Sequence, residues 1–306
     1  MTILSGAGKS FDVTVPIVII GAGACGLIAA LSARDAGVEV LVIERDQTPA
    51  GSTALSSGFI PAAGTRFQKA IGVEDTPALL EKDVMAKSHD EAEPNLARTI
   101  CAASARTIEW LADRHGVEFF VLDNFMYPGH SVARMHAVPE KTGVALMAAL
   151  ARAAESAGVD VITEARATHL YADADGRVRG VRYERPDGTT EDVGCEALIL
   201  ACSGFGGSSE MVKTFIPEIA DALFFGHVGN QGDAIRWGQA LGATVRDMTA
   251  YQGHGSVATP HGVLITWAIE MEGGIQVNRD GVRFANEHQG YSEAAVFVLS
   301  QPDGVA

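Results

Sequence analysis

Three stretches of the 306-residue sequence predict an α/β fold. Residues 15–46 read as an apolar strand, a glycine turn, an Ala-rich helix and a second apolar strand that closes on an acid. Residues 159–202 read as short strands separated by Asp- and Gly-containing turns, the pattern of an antiparallel meander. Residues 197–207, Ala-Leu-Ile-Leu-Ala-Cys-Ser-Gly-Phe-Gly-Gly, carry an apolar strand straight into another glycine turn. Together they predict a Rossmann-like domain with an antiparallel β-meander inserted between parts of its parallel sheet.

The first turn is Gly21-Ala-Gly23-Ala-Cys25-Gly26. In this spacing Gly21 permits the tight turn, Gly23 lets the backbone approach a pyrophosphate, and Gly26 lets the helix pack closely on the strand. The helix then directs its N-terminal N–H groups and positive dipole end at the phosphates of a dinucleotide. Glu44, eighteen residues beyond Gly26, stands where a carboxylate accepts both hydroxyls of an adenosine ribose. The same carboxylate repels a 2′-phosphate, which disfavours NADP. Gly6-Ala-Gly8-Lys9-Ser10 looks like the end of a P-loop, but Ile3 stands where that motif needs its first glycine, and no strand precedes it. Residues 1–13 are expected to be a flexible leader.

After Glu44 the run from Gln47 to Gly58 is small and hydroxylic without an apolar period, and is expected to be a loop passing close to a ligand. From Thr76 to His115 the pattern is helical, with Leu80, Val84, Leu96, Ile100, Ile108 and Leu111 on one face. A further helix spans residues 141–158 and stops at Gly158. Strands follow over 159–163, 165–172, 178–184 and 197–202, turned by Asp173-Ala-Asp-Gly176 and Arg185-Pro-Asp-Gly188. Gly229-Asn-Gln-Gly-Asp233 leads into a short helix. A change of composition near Met248 divides a domain over 14–248 from the start of an α+β capping domain over 249–306.

A formal charge of −15 argues against nucleic acid or an anionic membrane as partner. Cys25, Cys101, Cys195 and Cys202 lack Cys-x-x-Cys spacing, so neither a zinc site nor a redox pair is indicated, and they read as small buried apolar residues. No metal is expected. No stretch reaches the roughly 18 apolar residues of a membrane span, and residues 1–10 lack the pattern of a signal peptide. A cytoplasmic protein without a membrane span is expected.

Five motifs, in order, make the sequence resemble the flavoprotein subunits of the fumarate reductase and succinate dehydrogenase family, which includes 3-ketosteroid Δ1-dehydrogenases. They are Gly21 to Gly26 with Glu44, the loop Gly51-Ser-Thr-Ala-Leu-Ser-Ser-Gly58, Leu200-Ala-Cys-Ser-Gly-Phe-Gly206, Gly229 to Asp233, and Gly273 to Glu287. The resemblance implies FAD, with cofactor contacts at the Cys25 backbone, Glu44, Ser52, Thr53, Ser57, Gly58, the Ala167 backbone at the adenine, and Asp233. Where membrane-bound members carry a histidine that bonds the flavin, this sequence has Gly51, so non-covalent FAD is implied. Ser52 and Thr53 could equally cap the next helix, and Asp233 could cap the helix after it.

The resemblance also implies the chemistry: a hydride moves between flavin N5 and one carbon of a carbon–carbon bond beside a carbonyl, and a side-chain relay moves a proton at the neighbouring carbon. In fumarate reductases an arginine four residues after an Asn-Glu pair supplies the proton, and a His and a Thr-Glu pair hold the substrate. His254 and Thr266 keep two of these positions, while Trp267 replaces the glutamate and Tyr291 the arginine. Losing that arginine removes a charge-assisted clamp of about 1.5–3 kcal/mol per hydrogen bond, which argues against a C4 dicarboxylate. Asn286-Glu-His-Gln-Gly-Tyr291 instead resembles the 3-ketosteroid dehydrogenase segment, in which the tyrosine accepts a proton. That role needs a lowered phenol pKa or a relay partner, and His288 is a candidate; the alternative is a phenol packed under the cap. Trp267 is either a flat pocket wall or core. His130, Arg134 and His136 read as a salt-bridged turn.

By the family's plan the sequence stops within the cap, so a fragment or a shortened relative is expected, acting on a small-molecule substrate with an unidentified electron partner. The alternative function is an incomplete FAD- or AMP-binding remnant without turnover.

Overall fold

A computed structural model describes residues 2–124, 126–258, 260–261 and 263–306; Met1, where the expected leader begins, lies outside them. The residues that follow are not a flexible leader. β1 (Thr2–Ser5) pairs in parallel with the meander, Gly6 N–H donates to Ala172 O at 2.7 Å, and the Phe11 ring lies edge-on to Tyr171. Lys9 is ion-paired to Asp192 at 2.7 Å, so its charge is engaged with the meander.

β2 (Thr14–Ile20), α1 (Ala24–Asp35) and β3 (Val40–Ile43) form the expected crossover. The small-residue run beyond it contains a short helix, α2 (Gly51–Leu55), followed by β4 (Ile60–Pro61) and α3 (Arg66–Ala70). The helical pattern over 76–115 is two helices, α4 (Pro77–Lys87) and α5 (Pro94–His115). Thr76 and Glu93 each accept a backbone N–H at a helix start, and each is followed by proline at the first helical position. The break resets the phase, so α5 buries Ala97, Cys101, Ile108 and Leu111, whereas Leu96 and Ile100, expected to be buried, are 50% and 60% exposed.

β5 (Phe120–Val121) and β6 (Met135–Ala137) complete a three-stranded antiparallel sheet with β4. Then come α6 (Gly143–Ser156), β7 (Asp160–Ile162), β8 (Arg166–Ala172), β9 (Val178–Glu184) and β10 (Thr190–Leu200). The main sheet has the order β1-β8-β9-β10-β2-β3-β7. β10 joins its two parts: residues 190–194 run antiparallel to β9, and residues 194–200 run parallel to β2. The remaining elements are α7 (Ser209–Phe215), α8 (Asp233–Ala240), β11 (Val257–Ala258), β12 (Val263–Leu264), α9 (Ala268–Met271) and α10 (Tyr291–Leu299).

Alternation along β2 sends Ile19 to a core shared with Leu27 and Leu31 of α1 and Leu146 and Leu150 of α6. Val18 and Ile20 face the other way, toward Leu170, Val181, Tyr183 and Trp237. Burying each such aliphatic side chain contributes about 1.5–3 kcal/mol, which fixes the height of the strand ends where the glycine turns sit.

Beside the small sheet lies a buried polar network. Arg134, fully buried, donates to Asp75 at 3.1 and 3.2 Å and to Asp83 at 2.7 Å. Gln68 binds Asp75 and the Ala133 carbonyl, both at 2.9 Å. His136 Nδ1 donates to Arg134 O at 2.9 Å, which leaves Nε2 to accept from Thr65 Oγ1 at 2.8 Å. Burial pushes the His136 pKa down, in keeping with this neutral tautomer. Burial pushes the Asp83 carboxyl up, but hydrogen bonds from Ser131 and Arg134 outweigh it and hold the pKa below the usual value. Its stabilisation is therefore present above the unfolded carboxylate pKa and is lost as pH falls through the lower folded value. Arg134→Met strands two buried carboxylates and is expected to lower the unfolding free energy by about 3–5 kcal/mol, measured as a shift of the urea midpoint. An unchanged midpoint would show that the network does not support the fold.

Candidate functional site

The carboxyl ends of β2, β3 and β10 meet at one crevice edge, and the residues expected to hold a dinucleotide gather there. Gly21 has φ +104°, and a Cβ on it would lie 2.6 Å from Ala201 O. A Cβ on Gly26 would lie 1.8 Å from Gly21 O, so the start of α1 approaches the strand as only glycine permits. Gly23 meets only Thr53 Oγ1, at 3.9 Å, and its face is open. Glu44 is 7% exposed. Its Oε2 accepts from Ala22 N–H at 2.8 Å, inside the turn, and its Oε1 accepts from Asp46 N–H at 2.9 Å.

Helix ends supply a second sign. The starts of α3, α4, α5, α6 and α7 are capped by Thr65, Thr76, Glu93, Thr142 and Ser208, each through a side-chain oxygen. α1 and α8 begin at Gly23 and Gly232, neither of which has a side chain to accept a hydrogen bond. α2, α9 and α10 also lack a side-chain cap, but α1 and α8 start beside the glycine turns, where N–H groups that the protein does not engage suit an anionic ligand. Asp233, read from sequence as a cap or a ligand contact, does not cap: it is the first helical residue, and burial pushes its carboxyl pKa up. Cys25 is exposed in the first turn of α1, contrary to the expectation that the cysteines are buried, because the turn faces the crevice.

The other candidates divide. Thr53 Oγ1 accepts from Ala24 N–H at 3.4 Å and so touches the start of α1. Ser52 Oγ accepts from His227 N–H at 3.1 Å and Asn230 Nδ2 at 2.9 Å, tying α2 to the 227–230 loop. His227 Nε2 in turn reaches Asp46 at 2.7 Å, a link across the crevice that sequence reading missed. Ser57 is exposed, Gly58 is buried with φ +69°, and Ala167 is buried in β8 beside Tyr183. The fit to an adenine dinucleotide rests on the open Gly23 face, the glycine-started helices α1 and α8 beside the turns, and the lone pairs of Glu44 that its two N–H donors leave over.

An aromatic cluster forms where the catalytic candidates were expected. The His254 ring stacks on Tyr291, with centroids 5.0 Å apart and planes 18° apart. Trp267 stands edge-on to both, at 6.2 Å from His254 and 6.4 Å from Tyr291, and the Tyr127 ring meets Tyr291 edge-on at 6.3 Å. Gln252 Nε2 donates to Tyr291 Oη at 2.8 Å. Ser256 Oγ donates to Ile265 O at 2.7 Å, so at 3.1 Å it accepts from His254 Nδ1, which puts the acceptor lone pair of the neutral ring on Nε2. Burial pushes the His254 pKa down and the Tyr291 pKa up, the latter against the Gln252 hydrogen bond; both groups are neutral at pH 7. His288 is exposed, and His254 takes the place beside the phenol that His288 was expected to fill. Thr266 is exposed, whereas Trp267 is 3% exposed and its Nε1 has no hydrogen-bond partner among the described residues.

Residues 16–304 match the family model described as FAD binding domain. The chain is 31% identical over 302 residues to an NADH:fumarate oxidoreductase of Klebsiella pneumoniae, covering 98% of this chain and 32% of that protein. It is 30% identical over 290 residues to the fumarate reductase (cytochrome) of Shewanella frigidimarina, covering 94% of this chain and 50% of that one. Among solved structures, the open conformation of a flavocytochrome c3 fumarate reductase superposes with a TM-score of 0.84 at 26% identity, covering 97% of this chain and 52% of that chain. The 3-ketosteroid-Δ4-(5α)-dehydrogenase of Rhodococcus jostii RHA1 superposes with 0.80 at 26% identity, covering 98% and 66%. The chain thus spans between a third and a half of the length of these curated relatives. It belongs to the FAD binding domain family of flavin-dependent oxidoreductases that contains the fumarate reductases, and its cofactor is FAD.

Proposed function

We propose that this chain is the FAD-holding part of an oxidoreductase that acts on a carbon–carbon bond beside a carbonyl, with Tyr291 and His254 as its proton-handling pair. The observation that carries this reading is the stack of His254 on Tyr291 inside a cluster of neutral aromatic groups. Bound FAD supplies the hydride, or accepts it, at one carbon of that bond. The chain's residues handle the proton at the other carbon. Tyr291 keeps its own O–H while Oη accepts from Gln252, so the phenol is a donor held in one orientation. Its raised pKa makes it a poor base at pH 7 but an adequate acid toward a carbanion beside a carbonyl, which favours reduction. His254 offers an acceptor nitrogen on the adjoining face. The adjoining ring of Trp267, in place of a carboxylate, suits an uncharged substrate better than a dicarboxylate.

Glu44, Ser52, Thr53 and Asp233 hold the adenosine and pyrophosphate side of FAD in this reading, and Gly51 offers no side chain for a covalent bond. Residues 249–306 contribute the start of the cap that carries the proton pair.

One observation favours a second reading, an incomplete FAD-binding unit without turnover. Large apolar side chains stay exposed in the C-terminal third, among them Leu223 at 65%, Val228 at 75% and Ile275 at 60%. Purified protein that is colourless and not restored by added FAD would support it.

Tyr291→Phe is expected to lower the rate of enone reduction by the chemically reduced flavoprotein about 10²–10⁴-fold without changing FAD affinity. Full retained activity would remove the phenol from the mechanism. Because the His254 pKa lies below that of free imidazole, the acid limb of kcat/KM is expected to fall below about pH 6.5, and to vanish in His254→Gln. Glu44→Gln, which keeps the size and removes the charge, is expected to weaken FAD binding about ten- to hundredfold in a fluorescence-quench titration. An unchanged dissociation constant would show that Glu44 does not contact the cofactor.

A further inference from the structure

Lys87, the last residue of α4, lies far in sequence from every site residue, yet its ammonium reaches the first turn of α10. Nζ donates to the Gln289 carbonyl at 3.1 Å and forms an ion pair with Glu293. These acceptors lie two residues to either side of Tyr291. The stem of Lys87 crosses Gly129, where an added Cβ would stand 3.1 Å from its Cδ, so the side chain also lies against the 127–130 segment that contains Tyr127. Gly290, with φ +120°, is wedged between these parts: a Cβ there would lie 2.8 Å from Glu293 Oε2, 3.5 Å from Lys87 Nζ and 3.5 Å from Pro128. One lysine thus connects the α4 end, the Tyr127 segment and the helix that begins at Tyr291.

We propose that Lys87 is a positioning residue for Tyr291, fixing the start of α10 so that the phenol stays stacked on His254 and edge-on to Tyr127. The proposal rests on the proton role given to Tyr291 above only where turnover is its readout. The ion pair is 40% exposed on the lysine side and 34% on the glutamate side, so it contributes little to global stability and its effect is local. A small displacement of a proton-handling group is costly: a misplacement of about 1 Å reduces turnover about a hundredfold.

The test uses the full chain with FAD bound and its five tyrosines replaced by 3-fluorotyrosine, the Tyr291 ¹⁹F resonance being assigned by its loss in Tyr291→Phe. Lys87→Met is expected to shift or broaden that resonance and to lower kcat about tenfold or more, with KM and FAD affinity within twofold of the parent. Lys87→Arg should restore at least half of both effects, and Lys82→Met, at an exposed position of the same helix, should change neither. Should Lys87→Met not fold, raising salt on the parent protein provides the second measurement, since screening weakens an exposed pair and should move the same resonance. A Tyr291 resonance indifferent to Lys87→Met, or to salt, overturns the proposal. Full turnover in Tyr291→Phe would instead overturn the proton role and leave the resonance to judge Lys87 independently.

Discussion

The Glu44 carboxylate closes the glycine turn from outside, and the cofactor crevice takes its shape from that contact. One oxygen accepts the Ala22 N–H within the turn, and the other accepts the N–H of Asp46 just beyond β3. Burying a carboxylate is costly unless it is hydrogen-bonded, and these two N–H donors offset the cost while leaving lone pairs unused. The same contact fixes the spacing of β2 and β3 at their carboxyl ends, where α1 starts without a cap of its own. In the proposed reading, a ligand that brings two hydroxyls and a pyrophosphate meets these open groups.

The aromatic cluster around Tyr291 is built on different physics. Around the glycine turns, charge and dipoles dominate; around Tyr291, the rings in contact among the described residues are His254, Trp267 and Tyr127, and Gln252 supplies an amide donor. Lys87, whose partner Glu293 lies two residues from Tyr291, is itself ion-paired, as are Arg283 with Glu287 and Arg134 with Asp75 and Asp83. The Arg283 hydrogen bond holds the Glu287 carboxyl down at about 2, so this pair is charged at every working pH. A phenol in such surroundings keeps its proton, which is why its role is read as a donor and its partner as the neutral imidazole stacked on it.

The crossover from β2 to β3 was legible in the sequence because glycine spacing, apolar runs and a terminal acid are local signals with a single physical solution. The meander was legible through its Asp-Gly turns. The first residues were misread as a leader because a short edge strand such as Ile3-Leu4 carries no periodicity of its own and forms only against β8. The break between α4 and α5 was missed although Pro94 marks it, since the apolar spacing continues across it. At the candidate site, Tyr291, His254 and Trp267 were singled out through motif position, but their neighbours Gln252, Tyr127 and Lys87 were not. They come from separate elements, and only the tertiary fold brings them to one phenol. His288 was a relay candidate for Tyr291 on helical spacing, but the chain there makes a 3₁₀ turn followed by Gly290 at positive φ.

The central claim is that the adenosine half of FAD is gripped by the turn and its acid. Competition titration tests it most directly, with the purified chain binding FAD and then challenged separately with ADP and with FMN. The account predicts that ADP displaces FAD while FMN, which lacks the adenosine, does not compete at similar concentration. FMN binding as tightly as FAD, with ADP inert, would contradict it.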